Sequence, residues 1–345
     1  MISNKETNKE ICTNIPYLLT IRLLKKCTAK CTMCNFWKSN EKEIPFSQLK
    51  HIIDEAKKAG IQEICFTGGE PTLYPKFFEL VEYLISQGLQ YSFITNGSLL
   101  TKKFVKKILL SPPRSVYISI DSPNKKMHDS MRGTQGIWEK AFKGIILFNS
   151  IANNSLSLKR PKIIINYIVT NKNYMLIPDM IALSKSYLFD EINLMQIKGM
   201  PALALNKQQI EEYNSVYAPK IIQAAHLYGI KIRSKDPFIF GLLDKEIKSC
   251  VKMEYSKQFY QTQKCSICDS MIFVETNGAV FPCNNTPYYG DNFYCGNIFE
   301  NNLSSILSSK RMQTVKRNMC GGLLCTCCDP INQKINLEKN PISEM

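Results

Sequence analysis

Short apolar runs alternate with amphipathic segments along the first two thirds of the chain. Six runs are rich in β-branched and aromatic residues, as buried strands are: 17–24, 63–66, 91–95, 115–120, 162–169 and 191–197. Five intervening segments repeat apolar residues every three or four positions, as helices packed on one face do: 46–60, 74–88, 100–110, 137–151 and 174–188. This alternation predicts an α/β fold with a parallel sheet, either open or curled into a barrel.

The pattern changes after about residue 240. Residues 271–283 form two short apolar runs around an Asn-Gly pair, which is a typical hairpin turn. A helical pattern follows over 302–317, and nine of the fourteen cysteines fall between Cys250 and Cys328. We therefore expect a core domain over residues 15–235 and a small cysteine-rich α+β domain over 236–330, with tails at 1–14 and 331–345.

Composition and charge narrow the class of protein. The first ten residues are too polar for a signal peptide, and no apolar stretch approaches the roughly 20 residues that span a bilayer. We therefore expect a cytoplasmic protein without a membrane partner, in which clustered cysteines are metal ligands or catalytic groups rather than disulfides. The net charge of +15 comes from scattered lysines, which argues against a nucleic-acid partner and would suit an acidic one.

Three cysteines lie in the loop after the first predicted strand. Cys27, Cys31 and Cys34 follow one another at spacings of four and three residues. Each iron of a [4Fe–4S] cluster takes one thiolate, so three cysteines leave one iron open to a small molecule. Zinc sites usually offer C-x2-C pairs in twos. The spacing therefore favours an iron–sulfur cluster over a zinc site completed elsewhere, or over reduced thiols without a ligand.

Other unusual residues occur at the ends of later strands. TGGEP at 67–71 follows the second strand, TNG at 95–97 the third and SIDS at 119–122 the fourth, while Gln196 ends the sixth. The carboxyl ends of parallel strands meet at one edge, where ligands bind. Two glycines allow the backbone to approach a ligand closely, and Glu70 could accept a hydrogen bond from an ammonium group. With the cysteine loop, these motifs outline one site.

In combination these motifs resemble those of the radical S-adenosylmethionine (SAM) enzymes, over about residues 15–200. In that family SAM chelates the open iron, and an electron from the cluster cleaves it to methionine and a 5′-deoxyadenosyl radical that abstracts a substrate hydrogen atom. The resemblance implies a partial (β/α)6 TIM-like barrel and makes Cys27, Cys31 and Cys34 the catalytic cluster ligands. It also implies ten residues in contact with the cofactor: Met33, Gly68, Gly69, Glu70, Asn96, Ser119, Asp121, Arg132, Asn166 and Gln196.

The C-terminal part resembles the SPASM/twitch extension of that family. Cys268, Gly278 and Cys283 fit its opening pattern, and Cys325 and Cys328 complete four ligands. The resemblance implies one auxiliary [4Fe–4S] cluster held by these four cysteines. Nine cysteines would suffice for two auxiliary clusters, but no cysteine follows Cys328 to supply the late ligand of a second one. Alternative ligands are Cys265, Cys320 and Cys327.

The residues named above indicate the chemistry and the cofactors more directly than they indicate the substrate. Relatives with such an extension mostly modify ribosomally made peptides or proteins by crosslinks, thioethers or epimerisation, and we expect the same here. The alternatives are a small-molecule (sugar or aminosugar) dehydrogenase or epimerase, a GTP-cyclase-like enzyme of cofactor biosynthesis, and a non-catalytic electron carrier. Expected partners are a low-potential electron donor of the flavodoxin or ferredoxin type and, because Cys27 lies near the start of the chain, a separate leader-peptide recognition protein.

Overall fold

The computed structural model describes residues 15–197, 200–233, 248, 251, 267–289 and 291–320. The fold is built on a twisted sheet to which both predicted domains contribute strands. Its strands are β1 (Leu18–Arg22), β2 (Glu63–Thr67), β3 (Gln90–Thr95), β4 (Ser115–Ser119), β5 (Lys162–Val169), β6 (Glu191–Gln196), β7 (Lys231–Ile232), β8 (Met271–Val274), β9 (Ala279–Phe281) and β10 (Gly296–Asn297). They lie in the order β10-β9-β8-β1-β2-β3-β4-β5-β6-β7. Because β1 to β7 are all parallel, the predicted partial (β/α)6 barrel is confirmed.

The helices of the described residues are α1 (Phe46–Lys58), α2 (Phe77–Ser86), α3 (Lys102–Ile108), α4 (Lys125–Arg132), α5 (Ile137–Asn153), α6 (Ile177–Ala182), α7 (Ser184–Tyr187), α8 (Lys207–Glu212), α9 (Ala218–Tyr228), α10 (Leu303–Ser308) and α11 (Lys310–Cys320). Apart from α4, the helices contribute side chains to the hydrophobic core on one face of this sheet. A π-helical turn, Tyr213–Tyr217, joins α8 to α9. The helix predicted over 174–188 is broken into short pieces, and the one over 302–317 is interrupted at Ser309, whose backbone is extended.

Alternate residues of each strand point to opposite faces of the sheet. Ile64 and Phe66 of β2 pack into the hydrophobic core beneath the helices, and Ile163 and Ile165 of β5 do the same. The other face carries many polar side chains, so the inner surface of the barrel is suited to a polar ligand rather than to further apolar packing. Cys65 lies on this inner face, buried between its strand neighbours Thr20 and Ser92.

The cysteine-rich part extends the same sheet at the β1 edge. β8 pairs with β1 in parallel, placing Phe273 beside Thr20, and β8 and β9 form the predicted antiparallel hairpin. Gly278 in the hairpin turn has φ +82°, and a Cβ there would lie 2.4 Å from Asn297 Oδ1, so only glycine fits. Because the described parts of both regions share one sheet, the boundary predicted near residue 235 stays a prediction.

None of the helices in the described part of the chain is long and apolar enough to cross a membrane.

Candidate active site

Cys27, Cys31 and Cys34 lie together in the loop that follows β1. Cys31 is buried, the other two are half-buried, and all three pack in one small cluster with Met33 and Ile137, separate from the main core. The three thiols are free of disulfides. Within the described residues no three His, Cys, Asp or Glu side chains converge on a single metal ion. A [4Fe–4S] cluster does not require such convergence, because each thiolate binds its own iron.

The cysteine loop lies against the C-terminal end of α4. The amide of Lys30 donates to the carbonyl of Arg132 at 3.1 Å, and the amide of Thr32 donates to the carbonyl of Met131 at 3.0 Å. Gly133 ends α4 with φ +58°, and a Cβ at this position would lie 2.2 Å from the carbonyl oxygen of Lys30. The helix end therefore supports the loop at backbone contact distance, which a side chain at residue 133 would prevent.

A buried ion pair lies directly beside Cys31. Nε of Arg132 is 2.7 Å from Oδ2 of Asp121, and Nη1 of Arg132 is 3.9 Å from the Cys31 sulfur. Burial disfavours the guanidinium charge, but Asp121 and the Cys31 sulfur outweigh it and raise the pKa of Arg132. The structure thus places a permanent positive charge next to one cysteine, where it can compensate the negative charge of a thiolate.

Burial favours the neutral form of the Cys27 and Cys31 thiols. Burial raises the pKa of Cys27 to about 11, and burial also raises the pKa of Cys31, although Arg132 opposes that shift. Metal binding therefore has to displace their protons. A partly apolar pocket with three thiols, a neighbouring cation at Cys31 and a hydrogen-bond donor at Cys27 fits an iron–sulfur cluster well, since such donors tune cluster sulfurs.

Gly68 and Gly69 pack directly against the backbone of residues 24–26, at the start of the cysteine loop. The Gly69 amide donates to the carbonyl of Leu24 at 2.8 Å, and the Glu70 amide donates to the carbonyl of Lys26 at 2.9 Å. A Cβ on Gly68 would lie 2.3 Å from the Leu24 oxygen, and one on Gly69 would lie 2.2 Å from the Lys26 oxygen. The two glycines therefore let β2 approach the backbone just before Cys27, and their contact with a cofactor stays a prediction.

The carboxylate of Glu70 is fully buried and bonded to the neighbouring strand end. Oε1 accepts hydrogen bonds from the amide and hydroxyl of Thr72 at 3.3 and 2.6 Å and from the Thr95 hydroxyl at 2.7 Å, while Oε2 accepts from the Asn96 amide at 2.7 Å. Burial raises the pKa of Glu70, and the hydrogen bonds from Thr72 and Asn96 oppose it. Glu70 therefore joins the ends of β2 and β3. A hydrogen bond from an ammonium group, as its sequence motif predicts, remains a prediction.

Asn96 connects the end of β3 to the cysteine loop. Its Nδ2 donates to the Thr28 hydroxyl at 2.9 Å and lies 3.6 Å from the Cys27 sulfur, and its Oδ1 accepts from the Ser98 amide at 2.9 Å. The Thr28 and Ser98 hydroxyls are 2.7 Å apart. Sequence reasoning missed Thr28, although its position directly after the first cysteine could have drawn attention to it.

Polar residues continue across the next three strands in one row. Ser119 of β4 is the register neighbour of Asn166 of β5, which is the neighbour of Asn193 of β6. Nδ2 of Asn193 donates to Oδ1 of Asn166 at 2.8 Å, and both residues are buried. Asn193 was not predicted, but its alternation with apolar Ile192 and Leu194 is the signal that could have found it. Gln196 ends β6 on the opposite strand face from Asn193.

The auxiliary cluster ligands are described only in part. Cys283 follows β9 and is buried, and its sulfur accepts a hydrogen bond from the Asn285 amide at 3.4 Å. Cys268 lies in the short 3₁₀ turn Ile267–Asp269 before β8. The remaining ligand candidates lie outside the described residues or have side chains outside them: Cys265, Cys320, Cys325, Cys327 and Cys328. The four-cysteine auxiliary set therefore stays a prediction.

Comparison with known protein families agrees with this arrangement. Residues 21–157 match the radical SAM superfamily, and residues 265–329 match SPASM, an iron–sulfur cluster-binding domain. The chain contains a radical SAM domain followed by a SPASM domain. The first match contains the cysteine loop, the buried Glu70 and the Asp121–Arg132 pair. A radical SAM domain holds a [4Fe–4S] cluster and SAM, and a SPASM domain holds further iron–sulfur clusters.

Individual relatives resemble parts of this radical SAM protein. An AdoMet-dependent heme synthase of Methanosarcina barkeri is 33% identical over 136 residues, which are 39% of each chain. The mycofactocin maturase MftC of Mycolicibacterium smegmatis is 29% identical over 174 residues, 50% of this chain and 42% of that protein. The chain thus spans about two fifths of the length of these relatives.

The fold of one solved structure covers almost the whole chain. The crystal structure of Streptococcus suis SuiB bound to S-adenosylmethionine superposes with a TM-score of 0.67 at 18% identity, over 95% of this chain and 75% of that one. At this identity the match establishes the shared fold alone. It extends beyond the radical SAM domain, in agreement with the SPASM hairpin on the β1 edge.

Proposed function

We propose that this radical SAM enzyme modifies a ribosomally made peptide or protein, by forming a crosslink or thioether or by inverting a stereocentre. The observation that carries the radical chemistry is the convergence of Cys27, Cys31 and Cys34 with the ends of β2, β3 and β4 at one edge of the barrel. When bound, the [4Fe–4S] cluster supplies the electron that cleaves SAM.

The residues of this chain prepare the site in three ways. Arg132 holds a positive charge 3.9 Å from the Cys31 sulfur. Asn96 donates toward the Cys27 sulfur and Thr28, and it is fixed in turn by Glu70. The polar row on β4 to β6 faces the barrel interior, where Asn193 orients the amide of Asn166. Contacts within the protein hold these groups in place, which lowers the cost of binding and orienting a ligand.

Two similarities support a peptide or protein substrate. One is the sequence similarity to a maturase, MftC. The other is the fold shared with SuiB, which has also been crystallised with its precursor peptide SuiA. A leader peptide would carry complementary charge if it were acidic, because this chain has a net charge of +15. A separate leader-recognition protein and a low-potential electron donor complete the proposal.

A small-molecule substrate is the second candidate. The higher identity, 33%, to an AdoMet-dependent heme synthase favours it. The described part of the barrel interior is polar on β4 to β6, and a polar small molecule could occupy it as readily as a peptide side chain. The two candidates share the cysteine loop and differ only in what enters the barrel.

The first experiment tests the radical SAM chemistry without a substrate. Anaerobically reconstituted protein should contain about eight irons per chain, and the triple variant Cys27→Ala/Cys31→Ala/Cys34→Ala about four, because each [4Fe–4S] cluster carries four. After chemical reduction with SAM present, the wild type should release 5′-deoxyadenosine and the triple variant none. Unchanged iron in the triple variant would remove the cysteine loop as a cluster site.

The second experiment separates the substrate classes. Peptides encoded by short reading frames beside the gene are incubated with the reduced enzyme and SAM. Their masses are compared before and after, and so is the chirality of their hydrolysed residues, because inversion of a stereocentre leaves the mass unchanged. A change in mass or chirality that requires Cys31, with 5′-deoxyadenosine formed in proportion, supports the peptide proposal. If no peptide changes in mass or chirality and polar metabolite extracts instead stimulate 5′-deoxyadenosine release, the small-molecule candidate replaces it.

A further inference from the structure

A second buried ion pair joins the SPASM hairpin to the end of β1. Arg22, the last residue of β1, pairs with Glu275, the first residue after β8, across 253 positions of sequence. Their side chains are only 7% and 12% exposed. A charge pair this deeply buried contributes little net stability compared with apolar packing, but it imposes one specific arrangement on the segments that carry it.

The guanidinium of Arg22 also contacts the cysteine loop itself. Its Cζ lies 4.1 Å from the ring centroid of Phe36 and 5.1 Å from that of Phe273. Phe36 is two residues beyond Cys34, and Phe273 belongs to β8. Arg22 therefore contacts the cluster loop through Phe36 and the SPASM hairpin through Glu275 and Phe273 at the same time. Such cation–π contacts are stronger where the cation is withdrawn from water.

A second connection runs in parallel with the first. The Thr276 hydroxyl donates to Oε2 of Glu41 at 2.8 Å, and Glu41 forms an ion pair with Lys25, two residues before Cys27. The hydrogen bond from Lys25 lowers the pKa of Glu41, and the one from Thr276 adds to this. Two consecutive residues of one turn thus contact segments on both sides of the three cysteines.

The turn that presents these residues has a fixed backbone. The Glu275 amide donates to the Ala279 carbonyl at 2.9 Å, and the Gly278 amide donates back to the Glu275 carbonyl at 3.0 Å. Gly278 also packs against Phe299, whose Cδ2 would lie 2.5 Å from a Cβ at that position. Glu275 therefore reaches Arg22 from a rigid support rather than from a flexible loop.

We propose that Arg22 and Glu275 are positioning residues for the N-terminal cluster, so that the SPASM hairpin sets the conformation of the cysteine loop in the neighbouring domain. The inference rests on the assignment of the cluster to Cys27, Cys31 and Cys34, and it is independent of the substrate. It implies that the SPASM domain acts on the SAM-binding cluster through protein contacts, in addition to any role of its own clusters.

The test is the variant Glu275→Gln in the reconstituted holoenzyme, which removes the charge but keeps the side-chain shape. The readouts are the electron paramagnetic resonance signal that changes when SAM is added, the midpoint potential of that cluster, and the rate of iron loss to a chelator. We expect an altered SAM-dependent signal and faster iron loss, because removal of an outer-shell partner typically lowers metal affinity or activity by about 10- to 100-fold.

The matched control is Glu55→Gln. Glu55 is also a buried carboxylate between the two domains, because its Oε2 accepts a hydrogen bond from the Leu303 amide at 3.1 Å at the start of α10. It lies in α1, and within the described part of the chain it bonds to Lys58 and Leu303 and not to the cysteine loop. This control should leave the SAM-dependent signal, the potential and the iron-loss rate at wild-type values.

Each outcome decides the proposal. A Glu275→Gln holoenzyme with wild-type signal, potential and iron loss overturns the proposal. A Glu55→Gln variant in which these three readouts change as much as in Glu275→Gln overturns it too. If Glu275→Gln does not fold, Phe36→Leu decides in the same way, because it removes the ring from Arg22 without leaving a buried charge. A wild-type enzyme without any SAM-responsive signal would overturn the cluster assignment as well. A wild-type enzyme with that signal and an unaffected Glu275→Gln variant would overturn only the positioning role of Glu275.

Discussion

Arg132 and Asp121 form a buried ion pair whose Nε–Oδ2 distance is 2.7 Å, and the cationic partner lies against the sulfur of Cys31. The acidic partner is anchored separately, because its Oδ1 accepts a hydrogen bond from the Ile168 amide at 3.1 Å and its carbonyl accepts one from Asn173 at 2.8 Å. The Asp121–Arg132 ion pair beside the cysteine loop is therefore anchored by the ends of β4 and β5 as well as by α4.

Removing one member of this pair should be costly. We expect Asp121→Asn to lower the free energy of unfolding by about 3–5 kcal/mol, because it leaves the Arg132 charge buried without its counter-charge. Denaturant unfolding of the demetallated protein measures this. In a double-mutant cycle with Arg132→Met, the two losses should be strongly non-additive. Additive losses would show that the two side chains do not depend on each other.

Glu70 gives a second stability prediction. Glu70→Gln replaces one carboxylate oxygen with an amide NH2, so either the hydrogen bonds from Thr72 and Thr95 to Oε1 or the one from Asn96 to Oε2 is lost. The loss of satisfied buried donors should cost about 1–3 kcal/mol of unfolding free energy, and the position of Asn96 beside Cys27 should be disturbed. The exposed Glu79→Gln in α2 is the control and should be close to neutral. Equal effects of the two substitutions would contradict the assigned role.

Two glycines with similar backbones should respond differently to alanine. Gly133 and Gly229 end α4 and α9 with φ +58° and +64°, but only a Cβ on Gly133 meets another backbone, whereas Gly229 has nothing within 4 Å. Both substitutions should cost about 1–2 kcal/mol for the left-handed conformation. Only Gly133→Ala should also displace Lys30 and reduce the iron bound after reconstitution. Equal iron contents in the two variants would contradict this.

The buried His128 should make the free energy of unfolding decrease at acidic pH. Its Nδ1 accepts a hydrogen bond from the Asp121 amide at 3.1 Å. Burial, with a smaller contribution from Arg132, lowers the pKa of His128 from 6.5 to about 3. Because the folded pKa lies below the unfolded value, the unfolded chain binds more protons between these values. The stabilisation is therefore full above pH 6.5 and is lost as the pH falls toward 3.

His128→Asn isolates this term, since the amide oxygen can accept the same hydrogen bond without titrating. The unfolding free energy of the wild type minus that of the variant should fall by up to about 1.4 kcal/mol for each pH unit below the unfolded pKa. Denaturant unfolding at about pH 7 and about pH 5 measures the difference. A difference that is the same at both values would mean that His128 does not gain a proton on unfolding.

Local signals located the strands well, and they failed where several segments meet. The six predicted strands all form, because each is a short run of β-branched and aromatic residues that is buried on its helix-facing side. The helix predicted over 174–188 does not form as one element. It divides into the 3₁₀ turn Tyr174–Leu176 and the helices Ile177–Ala182 and Ser184–Tyr187, and Leu188 at its end adopts φ 56°. The apolar period of the sequence does not reveal these breaks.

The candidate site shows the same division. Cys27, Cys31 and Cys34 could be assigned because spacing within one loop is a local property, and Gly68 and Gly69 because two glycines in sequence are visible directly. The partners of Arg22 and Asp121 could not be assigned, since Glu275 is 253 positions from Arg22 and Arg132 is the last residue of a helix that the apolar pattern did not predict.

The sequence by itself determined the kind of chemistry in this radical SAM protein, because ligand type and spacing are fixed by the chain within a single loop. It also determined the strand–helix order that brings the strand ends to one edge. Only the tertiary structure decided that the SPASM hairpin joins β1, that Arg22 and Glu275 meet there, and that Arg132 lies beside Cys31. Buried charges must find partners wherever the fold brings opposite charges together, and that proximity exists only once the sheet has formed.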